Sequence, residues 1–77
     1  MDTNDAMRSL LIRSDLSQRA ASLAMGRSPN YLGTALAKQG SSSAAIVAEL
    51  ADVCGYSLVL VPSRDVPPGA IVIDPPR

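Results

Sequence analysis

Histidine, phenylalanine and tryptophan are absent from this chain, and cysteine occurs once, at position 54. Each absence removes a class of function. A lone cysteine closes no disulfide within the chain, and without histidine neither a Cys/His metal site nor a histidine proton relay can be assembled. No apolar run approaches the roughly 20 residues that cross a bilayer. The opening MDTNDAMRSLLIRS places acids before its first base and holds too short an apolar stretch for a signal peptide. A cytoplasmic protein without a membrane, a metal or a cofactor is expected, and a single cysteine suits that reducing compartment.

The shortage of aromatics bears on stability. Tyr31 and Tyr56 are the only two, so the 47% hydrophobic content must form a core from Ala, Leu, Val, Ile and Met. A chain of 77 residues buries only about 60% of its unfolded surface, and domains of this size commonly rely on a partner chain. Net charge is zero, but unevenly spread. Residues 1–40 hold Arg8, Arg13, Arg19, Arg27 and Lys38 against Asp2, Asp5 and Asp15, while residues 41–77 hold Arg64 and Arg77 against Glu49, Asp52, Asp65 and Asp74. The first half suits a polyanion better, although scattered solvated charge gives the same count.

What is present is helical periodicity. A first helix is expected over residues 3–13, with Ala6, Met7, Leu10 and Leu11 on one face. A second runs from Ser17 to about Met25, capped by Ser17 or Asp15, with Leu16, Ala20, Leu23 and Ala24 apolar. Gly26 follows, where a chain leaving a helix needs positive φ. In the third helix Ser28 is the expected cap and Pro29 the first helical residue, with Leu32, Ala35 and Leu36 inward and Gly40 as the stop after Lys38-Gln39. The fourth helix, Ala44 to Cys54, is capped by Ser43, ended by Gly55 and apolar over a wide arc, which makes it the central one.

The period then changes to two. Tyr56–Val61 reads as a strand, Pro62–Gly69 as a proline-held loop, and Ala70–Asp74 as a second strand. Both faces of this pair are apolar, through Leu58, Val59, Leu60, Val61, Ile71, Val72 and Ile73. A small helical core covers one face, so the other is expected to meet an identical chain in a symmetric dimer. The expected fold is therefore mainly α: a helical domain over residues 1–55 and a two-strand dimerising extension over residues 56–77, in one compact unit.

The second and third helices, joined by a tight turn, have the pattern of a DNA-reading helix-turn-helix, which presents its second helix outward. On that outer flank lie Pro29, Asn30, Gly33, Thr34 and Ala37. Asn30 can form a paired hydrogen bond with adenine, and Thr34 can hydrogen-bond a base or touch a thymine methyl. Gly33 leaves room for close approach, at about 1 kcal/mol of helix stability relative to alanine. Arg27 and Lys38 are placed for phosphates, with Arg19 a weaker candidate, and Gln18 stands beside the free N–H groups that open the second helix. Tyr31 reads equally as a phosphate or base contact and as a wedge between helices.

Ser17-Gln18 opening the second helix, Gly26 at the turn, Ser28 before the third and Leu50-Ala-x-x-x-Gly55 closing the fourth resemble the lambda-repressor/Cro-type, XRE-like helix-turn-helix regulators. The chain is most similar to their small phage-repressor and antitoxin members. The likeness covers about residues 8–62. It implies a dimeric DNA-binding repressor acting on a two-fold symmetric operator, with Gln18 near a base or the backbone and Pro29, Asn30, Gly33 and Thr34 facing bases. It also implies a toxin as a further partner where the member is an antitoxin. Pro29 departs from the family pattern, since a polar reader is common there, and residues 56–77 fall largely outside it.

A rival reading is a protein-interaction module whose hairpin docks on a partner without DNA, favoured by zero net charge and a Gly/Pro/Ala-rich third helix. Enzyme readings have little to stand on. Glu49, Asp52, Asp65 and Asp74 are expected as solvated surface charge, and Cys54 as a small core residue.

Overall fold

The computed structural model describes residues 1–38 and 42–75. It contains α1 (Thr3–Ser14), α2 (Gln18–Ala24), α3 (Tyr31–Ala37), α4 (Ala44–Val53) and a single 3₁₀ turn, Ser63–Asp65. α1 lies against α4, α2 against α3, and α2 also touches α4. Met7, Leu10 and Leu11 of α1, Ala21 of α2, Leu32 and Leu36 of α3, and Val47, Leu50 and Ala51 of α4 make one buried core. Met7, Leu32 and Leu50 are its largest fully buried side chains. No helix among the described residues is long and apolar enough to cross a membrane.

Three helices start on side-chain caps. Asp2 accepts from Asp5 N–H (2.8 Å), Ser17 from Ala20 N–H (3.0 Å) and Ser43 from Ile46 N–H (3.3 Å), each satisfying a donor that the helix leaves free. The cap of α2 is thus Ser17. Asp15 instead ends α1 in the left-handed region, at φ 53°. Three helices end alike, with a left-handed residue followed by an N–H that reaches back five residues. Leu16 donates to the Leu11 carbonyl after Asp15, Arg27 to Ser22 after Gly26, and Tyr56 to Ala51 after Gly55. This is the Schellman pattern of helix termination.

The third helix starts later than expected. Ser28 is not its cap and Pro29 is not its first residue. Tyr31 N–H bonds to the Ser28 carbonyl (3.1 Å), and Asn30 lies at φ −95°, ψ 1°. These are the angles of the third residue of a type I turn, a turn that favours proline in second place. Ser28–Tyr31 is therefore the turn itself, and α3 follows it with no side-chain cap. Lys38 is already extended, and the expected end at Gln39 with its stop at Gly40 lies outside the described residues.

The inner face of α2 also differs. Ala20, Leu23 and Ala24 are exposed, whereas Ala21 and Ser22 are fully buried. A polar side chain enters the core because both of its hydrogen-bonding capacities are met there. Ser22 Oγ donates to the Gln18 carbonyl (2.7 Å) and accepts from Leu32 N–H (3.1 Å), which joins α2 to α3. Arg8 reaches across from α1 to the Leu36 carbonyl at the far end of α3 (3.1 Å). Buried Asn4 accepts from Ser42 Oγ (2.6 Å) and donates to the Lys38 carbonyl (3.5 Å), holding both sides of the α3–α4 connection.

The C-terminal segment corrects the expected two-strand extension: there is no strand among the described residues. Among the described residues its backbone bonds are local, apart from two to Met1: Asp74 N–H to the Met1 carbonyl (2.9 Å) and the Met1 amino group to the Val72 carbonyl (3.5 Å). A strand exists only as half of a ladder, and the proline-bearing connection does not bring residues 57–61 and 71–73 into one. Ile71 packs on the core, and Arg13 holds the Gly69 carbonyl (2.6 Å). Leu58, Val59, Leu60, Val61, Val72 and Ile73 remain exposed.

Candidate nucleic-acid interface

α2 and α3 meet around Ser22, and their outer edges border one open groove. Gln18, Arg19, Pro29, Asn30, Gly33, Thr34 and Lys38 all line it, joined by Ser17 and Ala37. The spacing explains the gathering. Positions 30, 33, 34, 37 and 38 recur at three and four residues, so they share one side of α3 and of the turn that opens it. Leu32 and Leu36 occupy the other side, inside the core. Asn30, Thr34, Ala37 and Lys38 are exposed, as are Gln18 and Arg19, while Pro29 and Gly33 are half-buried.

Gly33 has a neighbour that its sequence position does not disclose. A Cβ built there would stand 3.3 Å from Gln18 Oε1. The bare flank of α3 therefore admits the Gln18 amide from α2, the end of a flexible side chain. Close approach at Gly33 is used first within the protein.

Arg27, Ser28 and Tyr31 do not line this groove. Arg27 Nη2 donates to both oxygens of Glu49 on α4 (2.8 and 3.1 Å), and its guanidinium lies 4.9 Å from the centre of the Tyr31 ring. The Glu49 hydrogen bond, the Glu49 charge and then Tyr31 raise the Arg27 pKa. Tyr31 is half-buried and packed against the core, as a wedge would be. Ser28 is exposed, its carbonyl engaged in the turn. Glu49 and Asp74, expected as solvated surface charge, both keep side chains exposed to solvent, and each also forms an ion pair: Glu49 with Arg27, and Asp74 with the Met1 amino group (2.5 Å). In sequence, the sign of Glu49 opposite Arg27 is the only trace of the first pair, and 22 residues separate them.

Chemically, the groove offers one amide at Asn30, one at Gln18, hydroxyls at Thr34 and Ser17, and cations at Arg19 and Lys38. Among the described residues no three Cys, Asp or Glu side chains gather as a metal site. Comparison of the chain with protein-family models, with curated proteins and with solved structures gives no match.

Proposed function

We propose that this protein is a sequence-specific DNA-binding regulator of transcription, a cytoplasmic repressor of the phage-repressor or antitoxin kind. The observation that carries the reading is the uncovered flank of α3, with seven of the ten residues expected at the interface lining a single groove with it. α3 is seven residues long, and an α-helix about 10–12 Å across with its side chains fits a major groove about 12 Å wide. Asn30 and Thr34 present base-reading groups, the Gln18 amide lies alongside, and Arg19 and Lys38 meet phosphates on either side. The residue resemblance to lambda-repressor/Cro-type regulators supports repression on a two-fold symmetric operator.

The test is a gel shift on the promoter of the protein's own operon, with Asn30→Ala/Thr34→Ala beside the wild type. A good base contact is worth about 1–3 kcal/mol, so the double variant is expected to bind at least tenfold more weakly while retaining its helical content. Equal affinity would remove both residues from reading. A protein-interaction module is the second reading, favoured by Arg27 facing Glu49 and so being engaged within the protein. The absence of any shift, specific or non-specific, at low salt would favour it.

A further inference from the structure

Exposed apolar side chains are not spread evenly over this chain. Of the eleven large ones open to solvent among the described residues, eight border a single groove, and only Met1, Ile12 and Leu23 lie elsewhere. The groove holds about 480 Å³ between the C-terminal segment and the helices α1 and α4, with buried Ala6, Leu10, Val47 and Ala51 bordering it from the helices. Small-molecule sites occupy about 300–1,000 Å³ and combine apolar walls with a few polar groups that fix orientation. Tyr56, Ser57 and Ser63 add hydroxyls here, and Arg13 is the only charged residue among the described ones that lines the groove. Arg13 donates to the Gly69 carbonyl (2.6 Å) and has no ion-pair partner among the described residues. A guanidinium carries five N–H donors, so most of its fork remains to be used.

We propose that this groove binds a single-chain fatty acid, its hydrocarbon tail against the apolar walls and its carboxylate on Arg13. Charge complementarity selects this occupant. One cation matches one negative charge, and the planar guanidinium fork pairs with a carboxylate in a way that an ammonium does not. A phosphate monoester would bring a charge of about −2 against that one cation, and a neutral or cationic chain would leave Arg13 unpaired. The groove shares no residue with the one between α2 and α3, so the inference stands apart from DNA recognition.

Isothermal titration calorimetry of the full chain with octanoate and decanoate, below their micelle concentrations and without DNA, tests it. One molecule per chain is expected, with binding tightening up to about fourfold for each added methylene. Decanol, which has the same tail and no charge, is expected to bind about tenfold more weakly than decanoate. Arg13→Gln is expected to lower decanoate affinity to the level of decanol and to leave decanol binding unchanged, which checks that the groove persists in the variant. Amide chemical shifts at Ala6, Val47, Ala51 and Ile71 are expected to move on saturation. Absence of saturable decanoate binding overturns the proposal. So does an Arg13→Gln protein that binds decanoate as the wild type does, or one that loses decanol as well, since Arg13 would then be a strut of the groove and not its reader of charge. Groove resonances that move with protein concentration alone would give the groove to a second copy and overturn it too. Because no DNA is present, none of these results depends on the gel shift.

Discussion

Ser22 Oγ accepts the backbone N–H of Leu32 at 3.1 Å, so a buried hydroxyl of α2 fastens the first turn of α3. Both residues are fully buried, and no water can replace the bond. Ser22→Ala is expected to leave that N–H unsatisfied and to destabilise the protein by about 1–3 kcal/mol. Chemical denaturation measures this. Ser22→Thr keeps the hydroxyl and tests whether the loss comes from the bond and not from the altered side-chain volume.

The left-handed residues that end α1 and α2 differ in kind, which gives two predictions of opposite sign. Asp15 holds φ 53° with a side chain, whereas Gly26 holds φ 75° without one. Asp15→Gly is expected to stabilise by a few tenths to about 1 kcal/mol, by relieving the contact between Cβ and carbonyl. Gly26→Ala is expected to destabilise by about 1 kcal/mol. Melting curves should show the two midpoints on opposite sides of the wild type.

Gly33→Ala separates folding from recognition. The added methyl meets only the movable end of Gln18, and alanine is about 1 kcal/mol better than glycine inside a helix. The melting temperature is therefore expected to stay level or rise. DNA affinity is expected to fall, because the methyl and the displaced amide both intrude on the reading flank. Unchanged affinity with raised stability would leave Gly33 no part in DNA contact.

Glu49→Gln is expected to strengthen DNA binding. It removes one negative charge and releases Arg27, which then becomes available to a phosphate. The slope of log K against log salt is expected to steepen by up to about 0.9, the contribution of one neutralised phosphate. The pair is exposed on both sides, and such pairs contribute little to stability, so the melting temperature is expected to change little.

Much of the helical architecture is legible in the residues, for local reasons. Ser17 and Ser43 cap where the pattern of a small acceptor before an apolar period says they should, and Gly26 and Gly55 stop their helices. The inner faces of α1 and α4 follow hydropathy, apart from Asn4 of α1, which is buried because its amide is hydrogen-bonded to both sides of the α3–α4 connection. Ser22 does not, because a hydroxyl reads as surface until its partner, ten residues on, is known. The Ser28-Pro29 pair suits a helix start and a type I turn equally, and the Asn30 angles decide between them. The C-terminal run has the alternation of a strand, but alternation describes side chains alone, while a ladder also requires a second backbone within reach. In the candidate interface, spacing brings the α3 residues together. The Arg27–Glu49 pair depends on how α4 crosses the turn, which no local pattern encodes.

Arg8 holding the Leu36 carbonyl moors the rear of α3, as Ser22 moors its front. A rod secured at both ends arrives preorganised, with little conformational entropy left to lose on docking. In the proposed DNA complex such a rod would not swivel to accommodate an imperfect site, so adjustment would fall to the duplex, and stiff sequences would be disfavoured even at bases that no side chain touches.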